Sequence, residues 1–193
     1  INKNTKAIFL CNPCNPTGYV YSKEEILEIG FLALKHDIFI VVDEVYREFI
    51  YGGNQHFSIL EEKKFYNNAI LIDSTSKRYS LCGARSGCIV SKNHDFLNAC
   101  LKFALARLSP PTLGLIAASK ALDSSPDYIN NVISEYTLRR NLLIEELTKI
   151  DDLVFSTPMG AFYSILKLPV NDSEEFSKFL LTDFSYNGET VML

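Results

Sequence analysis

The stretch Ser74–Gly87 reads STSKRYSLCGARSG, and its side chains have the types and spacing to do chemistry together. Ser74 and Ser76 flank Thr75, Lys77 comes next, and Arg85 follows eight positions later between Gly83 and Gly87. A lysine that forms a Schiff base must spend time as a neutral amine, which partial burial or a neighbouring cation favours. A guanidinium fork with hydroxyls nearby suits a phosphate group. The stretch thus reads as a reactive amine beside an anion site. The plainer reading is a solvated basic loop with Lys77 and Arg78 exposed, because S-x-S-K is a short pattern.

Elements able to position such a site surround it. Ala69–Asp73 (AILID), Ala7–Cys11 (AIFLC) and Ile38–Val42 (IFIVV) are continuous apolar runs, the pattern of strands buried on both faces of a parallel sheet. The first run leads into the lysine stretch. The second leads into Asn12-Pro13-Cys14-Asn15-Pro16-Thr17-Gly18, where two Asn-Pro pairs and a glycine exclude regular structure. The third ends in Asp43-Glu44, ahead of Val45–Tyr51 and a turn at Gly52-Gly53-Asn54. Open α/β sheets place their ligand sites at such strand ends. Ser22-Lys23-Glu24-Glu25 predicts a capping box opening a helix to about Lys35, which completes a strand–helix–strand crossover.

Further along, Gly87–Val90 predicts a strand returning from the lysine stretch, and Asn93 or Asp95 opens a helix to about Arg107. Ser109-Pro110-Pro111 breaks it, and Thr112–Leu122 begins another helix. Ser125-Pro126 caps a long helix with Ile129, Val132, Ile133, Tyr136, Leu143, Leu147 and Ile150 on one face. Beyond it, Leu153–Ser156, Ala161–Leu168 and Thr190–Leu193 are predicted strands, with a helix from Ser173 to about Phe184. The expected division is 1–125 and 126–193, the second part being the long helix and an incomplete smaller domain.

Composition narrows the function classes. The 193 residues are 47% hydrophobic and carry a net charge of −4, enough apolar content for a core and no basic cluster for nucleic acid. No apolar run reaches the length of a membrane span and no signal peptide is visible, so a cytoplasmic protein is expected. Five cysteines in apolar contexts read as reduced thiols. The start at Ile1 and the end in Val-Met-Leu predict a piece of a longer protein.

The three strand-end loops carry NPCNPTG (Asn12–Gly18), DEVYREF (Asp43–Phe49) and STSKRYSLCGARSG (Ser74–Gly87). In this order and at these separations they resemble the fold-type I pyridoxal-phosphate enzymes of the class I/II aminotransferase family. The SKRYSLCGAR form looks most like aspartate aminotransferases of bacterial type, and GAFYSIL (Gly160–Leu166) also fits the family. The resemblance implies part of an α/β large domain, a mainly parallel sheet with flanking helices, joined to part of an α+β small domain. It implies pyridoxal 5′-phosphate as cofactor, amino acid and 2-oxo acid substrates, and a homodimeric parent. Lys77 matches the Schiff-base lysine that also shuttles the proton. Asp43 matches the carboxylate on the pyridine nitrogen, which keeps the ring an electron sink. Asn15 and Tyr46 match the pair on the ring's phenolic oxygen, and Ser74, Ser76 and Arg85 match phosphate ligands. Arg107 and Ser109-Pro110-Pro111 sit where this family approaches the neighbouring subunit's cofactor.

Plainer readings stand beside these. Asp43 could be a helix cap, Tyr46 packing, and Ser76 a structural hydroxyl. Cys11-x-x-Cys14 has metal or redox spacing, but prolines interrupt it and no second pair follows, so no metal site is expected. His36, His56 and His94 read as solvated, and Arg139 and Arg140 as a solvated helix face. The family's phosphate-cradling turn, stacking aromatic ring and carboxylate-binding arginine lie outside these 193 residues, so the chain alone is expected to be inactive. Two alternatives remain at this stage. One is a carbon–sulfur lyase or decarboxylase on the same fold and cofactor, and the other is a non-enzymatic aminotransferase-like module of a regulator.

Overall fold

The computed structural model describes residues 1–192. Its organising element is a four-stranded sheet in the order β1 (Ala7–Cys11), β2 (Phe39–Asp43), β3 (Ala69–Ser74), β4 (Gly87–Ser91). The first three run parallel, and β4 returns antiparallel to β3. Cys11 lies opposite Asp43, and Asp43 opposite Ile72, so the chain leaves all three parallel strands along one edge. The long connections between parallel strands make this alignment possible, because a tight turn cannot reverse a chain into a parallel neighbour.

Helix α1 (Lys23–Lys35) covers one face. Ser22 caps it as its sequence predicts, with Ser22 Oγ accepting from Glu25 N–H and Glu25 reaching back to the Ser22 N–H. Ile26, Gly30 and Ala33, spaced to share one side of the helix, are its buried residues. A Cβ on Gly30 would lie 2.6 Å from the Phe65 ring, so only glycine lets the helix approach this closely. Ile26, Ala33, Ile40, Val42, Ile59, Phe65 and Ala69 form the core under α1. Each large member contributes about 1.5–3 kcal/mol on burial.

Two expectations for the strands need correction. β1 is not buried on both faces: Phe9 is 63% exposed and only Leu10 of its residues is buried. It is an edge strand of this sheet, and α1 covers one side of it. β2 begins at Phe39 rather than Ile38, and it takes in Asp43.

Helices α2 (Thr75–Arg78), α3 (His94–Arg107), α4 (Thr112–Ala121) and α5 (Pro126–Leu147) follow, with Asn93 and Ser125 capping α3 and α5. The last third differs more from expectation. Its one strand pair among the described residues is β5 (Val154–Phe155) with β6 (Leu166–Lys167), beside single antiparallel bridges at Ile50–Gly160 and Tyr186–Glu189. The chain from Ala161 to Ile165 is not strand, because it packs into the first part of the molecule. Met159 and Gly160 N–H both donate to the Gly18 carbonyl at 2.8 Å, and Ala161 N–H donates to the Phe49 carbonyl at 2.9 Å. Helix α6 (Ser173–Thr182) is capped by Asp172, not Ser173, since the longer-reaching carboxylate takes both Glu174 and Glu175 N–H. Thr190–Met192 carries no strand, and Leu193 lies outside the described residues. Among the described residues no helix is long and apolar enough to cross a membrane.

Candidate active site

Lys77 stands on the single turn α2, directly after β3. Ser74 caps that turn, its Oγ accepting from Ser76 N–H at 3.1 Å. Lys77 is half-buried, and Nζ lies 5.7 Å from the ring centres of both Tyr46 and Phe162. Among the described residues no carboxylate pairs with it. The neighbouring Arg78, by contrast, is fully engaged. It donates to Asp73 at 2.9 Å and to Glu48 at 2.5 Å, while Arg47 reaches the same Asp73 at 3.2 Å. Burial works against the Arg78 charge, but Glu48 and Asp73 outweigh it and raise its pKa. This network pins α2 to the loop after β2. Arg78 is therefore a fixed side chain with 13% exposure, not part of a solvated basic loop.

Asp43 ends β2 with its carboxylate half-buried. Oδ1 accepts from Val45 N–H at 3.1 Å, the cap-like contact of the plainer reading, and among the described residues no group bonds Oδ2. Burial raises its pKa, and Asp73 and Glu44 nearby add to the rise. An acid in this position gains from a cationic N–H set beside it. Tyr46 is 3% exposed, and its hydroxyl lies 2.8 Å from that of Tyr163. Burial and then the Tyr163 phenol push the Tyr46 pKa up, while the nearby Asn15 side chain opposes them. Tyr46 and Tyr163 thus share a hydrogen bond beside the loop that carries Asn15. Phe162 packs edge-on to Tyr46 and stacks on Tyr136 of α5, which completes an aromatic wall beside Lys77.

The other candidates gather a short way along. Ser74 Oγ lies 2.8 Å from Ser76 Oγ and 2.9 Å from the Ser86 carbonyl. Arg85 adopts a left-handed backbone (φ 52°) and donates one N–H to the Cys82 carbonyl at 2.9 Å, leaving most of its guanidinium exposed. Ser74, Ser76, Arg85 and Arg107 line one cavity of about 600 Å³. Two cationic groups and two hydroxyls make it a fitting receptacle for a phosphate. The structure thus brings Asn15, Asp43, Tyr46 and Lys77 together at one end and Ser74, Ser76 and Arg85 at the other.

Several residues were missed or misjudged from sequence. His56 is not solvated: its side chain is 12% exposed and bonds the fully buried Glu44 at 3.0 Å. Arg140 is not on a solvated face, since its Nε donates to the Pro158 carbonyl at 2.7 Å and its guanidinium lies over Tyr51. Arg139, at 66% exposure, is solvated as expected. Glu44, Asp73 and Tyr163 had no predicted role. For Glu44 a signal existed, because strand alternation turns it away from the face that Asp43 takes. All five cysteines are free thiols, and no cluster of metal ligands occurs among the described residues.

A parallel sheet whose carboxyl edge collects a lysine, a half-buried carboxylate and a phenol has the arrangement where open α/β sheets hold small ligands. The chain belongs to the aminotransferase class I and II family, whose model matches residues 1–188. Aspartate aminotransferase of Bacillus sp. (strain YM-2) is 32% identical over 192 residues, covering 95% of this chain and 49% of that protein. The solved aspartate aminotransferase of Thermotoga maritima superposes with a TM-score of 0.83 at 30% identity, covering 93% of this chain and 46% of that one. The aromatic aminotransferase of Pyrococcus horikoshii OT3 superposes at 0.82 with 28% identity, covering 95% of this chain and half of that one. The chain spans about half the length of the relatives it matches.

Proposed function

We propose that the protein is a pyridoxal-phosphate-dependent aminotransferase that moves an amino group between an amino acid, aspartate foremost, and a 2-oxo acid. The observation that carries this reading is the convergence of Lys77, Asp43, Tyr46 and Asn15 at the ends of three adjacent parallel strands. When bound, the cofactor supplies an electron sink for charge released at the substrate Cα. Lys77 Nζ holds that group and moves the proton taken from Cα. The Asp43 carboxylate, held with Oδ2 unshared, retains the proton on the ring nitrogen. Tyr46 O–H and the Asn15 amide orient the ring through its phenolic oxygen, and Ser74, Ser76 and Arg85 hold the phosphate. Phe162 and Tyr163 screen the Lys77 side from water, where a fixed dipole acts more strongly.

We further place the division of the chain at residue 125, with 1–125 as part of the cofactor-binding domain and 126–193 as part of the smaller one. The working protein is a homodimer, and the 193 residues alone do not turn over. Exposed apolar side chains support both statements, among them Phe103 at 79% and Leu113 at 82%. The experiment is to load the whole protein and this chain separately with pyridoxal phosphate and supply aspartate plus 2-oxoglutarate. The whole protein should turn over at ~1–1000 s⁻¹ and the chain should not. Absence of glutamate from the 2-oxoglutarate, with ammonia and sulfide or a thiol released from a cysteine-type donor, or a decarboxylated amine formed instead, would overturn the transaminase reading. Turnover by the chain alone would overturn its stated inactivity.

A further inference from the structure

Behind the Asp43 face lies a second polar cluster that the mechanism above does not use. Glu44, Asn12 and His56 come from three separate stretches and meet among apolar side chains. Glu44 and Asn12 are each 0% exposed. Glu44 Oε1 accepts from the Ser58 hydroxyl at 2.7 Å, and Oε2 lies 3.0 Å from His56 Nε2. Asn12 Oδ1 accepts from Tyr21 N–H at 3.0 Å, and Asn12 Nδ2 lies 3.5 Å from His56 Nδ1. A buried polar group without a partner costs about 1–3 kcal/mol, so these pairings must be mutually consistent.

That requirement leaves one arrangement of protons. The Tyr21 backbone N–H can only donate, so the Asn12 atom facing it is the carbonyl oxygen, and turning the amide over would set two donors head to head. The atom facing His56 is then the Asn12 amide nitrogen, again only a donor. His56 Nδ1 must therefore accept, which puts the ring proton on Nε2, where the Glu44 carboxylate waits to receive it. Asn12, first residue after β1, also donates its backbone N–H to the Asp43 carbonyl at 2.9 Å. The cluster thus fastens the loop carrying Asn15 to the strand end carrying Asp43, with His56 as the middle piece.

We propose that His56 is a positioning residue, held as the Nε2–H tautomer between Asn12 and Glu44, that sets the placement of Asn15 relative to Asp43. It touches neither substrate nor cofactor. Its functional consequence rests on the aminotransferase reading, whereas its tautomer does not.

The test has two arms on the whole protein. In the first, ¹⁵N NMR of the His56 ring without cofactor should show a protonated Nε2 and a bare Nδ1. In Asn12→Asp an acceptor replaces the donor facing Nδ1, and an Nδ1–H signal should appear. A wild-type ring protonated on Nδ1, or a ring unchanged by Asn12→Asp, would overturn the proposal whatever the protein catalyses. In the second arm, His56→Gln keeps one donor and one acceptor on adjacent atoms, while His56→Leu keeps neither. With cofactor bound, His56→Leu should lower kcat on the order of tenfold or more, with KM moved less and the pH midpoint of the cofactor's absorbance shifted. His56→Gln should stay within about threefold of wild type. Equal losses in both variants, or lost thermal stability with kcat and the absorbance midpoint intact, would reduce His56 to packing. Should the protein bind no cofactor, the NMR arm still decides the tautomer.

Discussion

The two ends of the candidate site are built differently. At the ring end most buried or half-buried polar groups around Lys77 and Asp43 are held by partners from another stretch: Arg78 by Glu48, Glu44 by His56 and Ser58, Tyr46 by Tyr163. The anion end rests on β4, where Ser91 alone is buried, and beside α3, which buries no residue at all. Leu105 of α3 is 67% exposed and Leu113 of α4 is 82% exposed. The difference teaches that this chain fixes the candidate chemistry-bearing residues by itself, whereas its candidate phosphate-binding residues stand on elements whose apolar faces are open. Arg85 illustrates the second case, with one hydrogen bond to a neighbouring carbonyl and an otherwise exposed side chain.

The comparison breaks first if the ring end does not depend on Lys77. Lys77→Ala in the whole protein should abolish covalent retention of the cofactor after borohydride reduction, read by peptide mass. Turnover should fall by at least about 10²–10⁴-fold, the share of proton transfer alone. Glu44→Ala probes the same end through stability. It leaves His56 Nε2 and Ser58 Oγ buried without an acceptor, so unfolding in urea should show a loss of about 3 kcal/mol. Arg85→Ala is the counterpart at the anion end. It should leave stability within about 0.5 kcal/mol while weakening cofactor affinity about 10–100-fold, the worth of one charge-assisted phosphate contact. Equal stability losses for Glu44→Ala and Arg85→Ala, in the same urea series, would erase the distinction between the ends.

Much of this was legible in the sequence for a physical reason. Apolar runs of five residues, Asn-Pro loops and the Ser22 capping box are local signals, and the sheet edge follows from them once the strands are parallel. The lysine, carboxylate and phenol were legible because each sits within a few residues of a strand end. Their support was not. His56 and Glu44 are twelve positions apart in sequence and Tyr46 and Tyr163 over a hundred, and nothing local distinguishes a histidine bonded to a buried acid from a solvated one. Ala161–Ile165 has the composition of a strand, but the bonds to Gly18 and Phe49 flanking it are long-range and override that preference. β1 read as doubly buried because an apolar run reports what a strand can bury, not what this chain lays over it.

Asp43 gives a smaller effect whose sign changes with the ligand. Burial raises its folded-state pKa above the unfolded value of about 3.8, so the folded state holds the proton more tightly. Its contribution to stability therefore falls as pH rises from about 3.8 through the raised value, and the ionised carboxylate is a liability at neutral pH. Asp43→Asn should accordingly raise the melting temperature of the cofactor-free protein at pH 7, with the gain gone below pH ~3.8. Loaded with cofactor, the same variant should melt lower than wild type, because the cationic N–H has lost its counter-charge. A gain in both states, by calorimetry, would mean that Asp43 is not poised for a cation.

The smallest effect is expected on the open side, and it sharpens the contrast most. Phe103 is 79% exposed on α3, so Phe103→Ser in this chain removes almost no buried area and should shift stability by less than about 0.5 kcal/mol. In the whole protein, if other chain segments or a second copy lie over α3, the ring is buried there. Its truncation then costs about 3–5 kcal/mol, the range for a core aromatic. Measuring the same substitution in both contexts by urea unfolding separates the possibilities without any assay of activity. A near-zero value in both would mean that the α3 face stays solvated, and that the anion end works without cover.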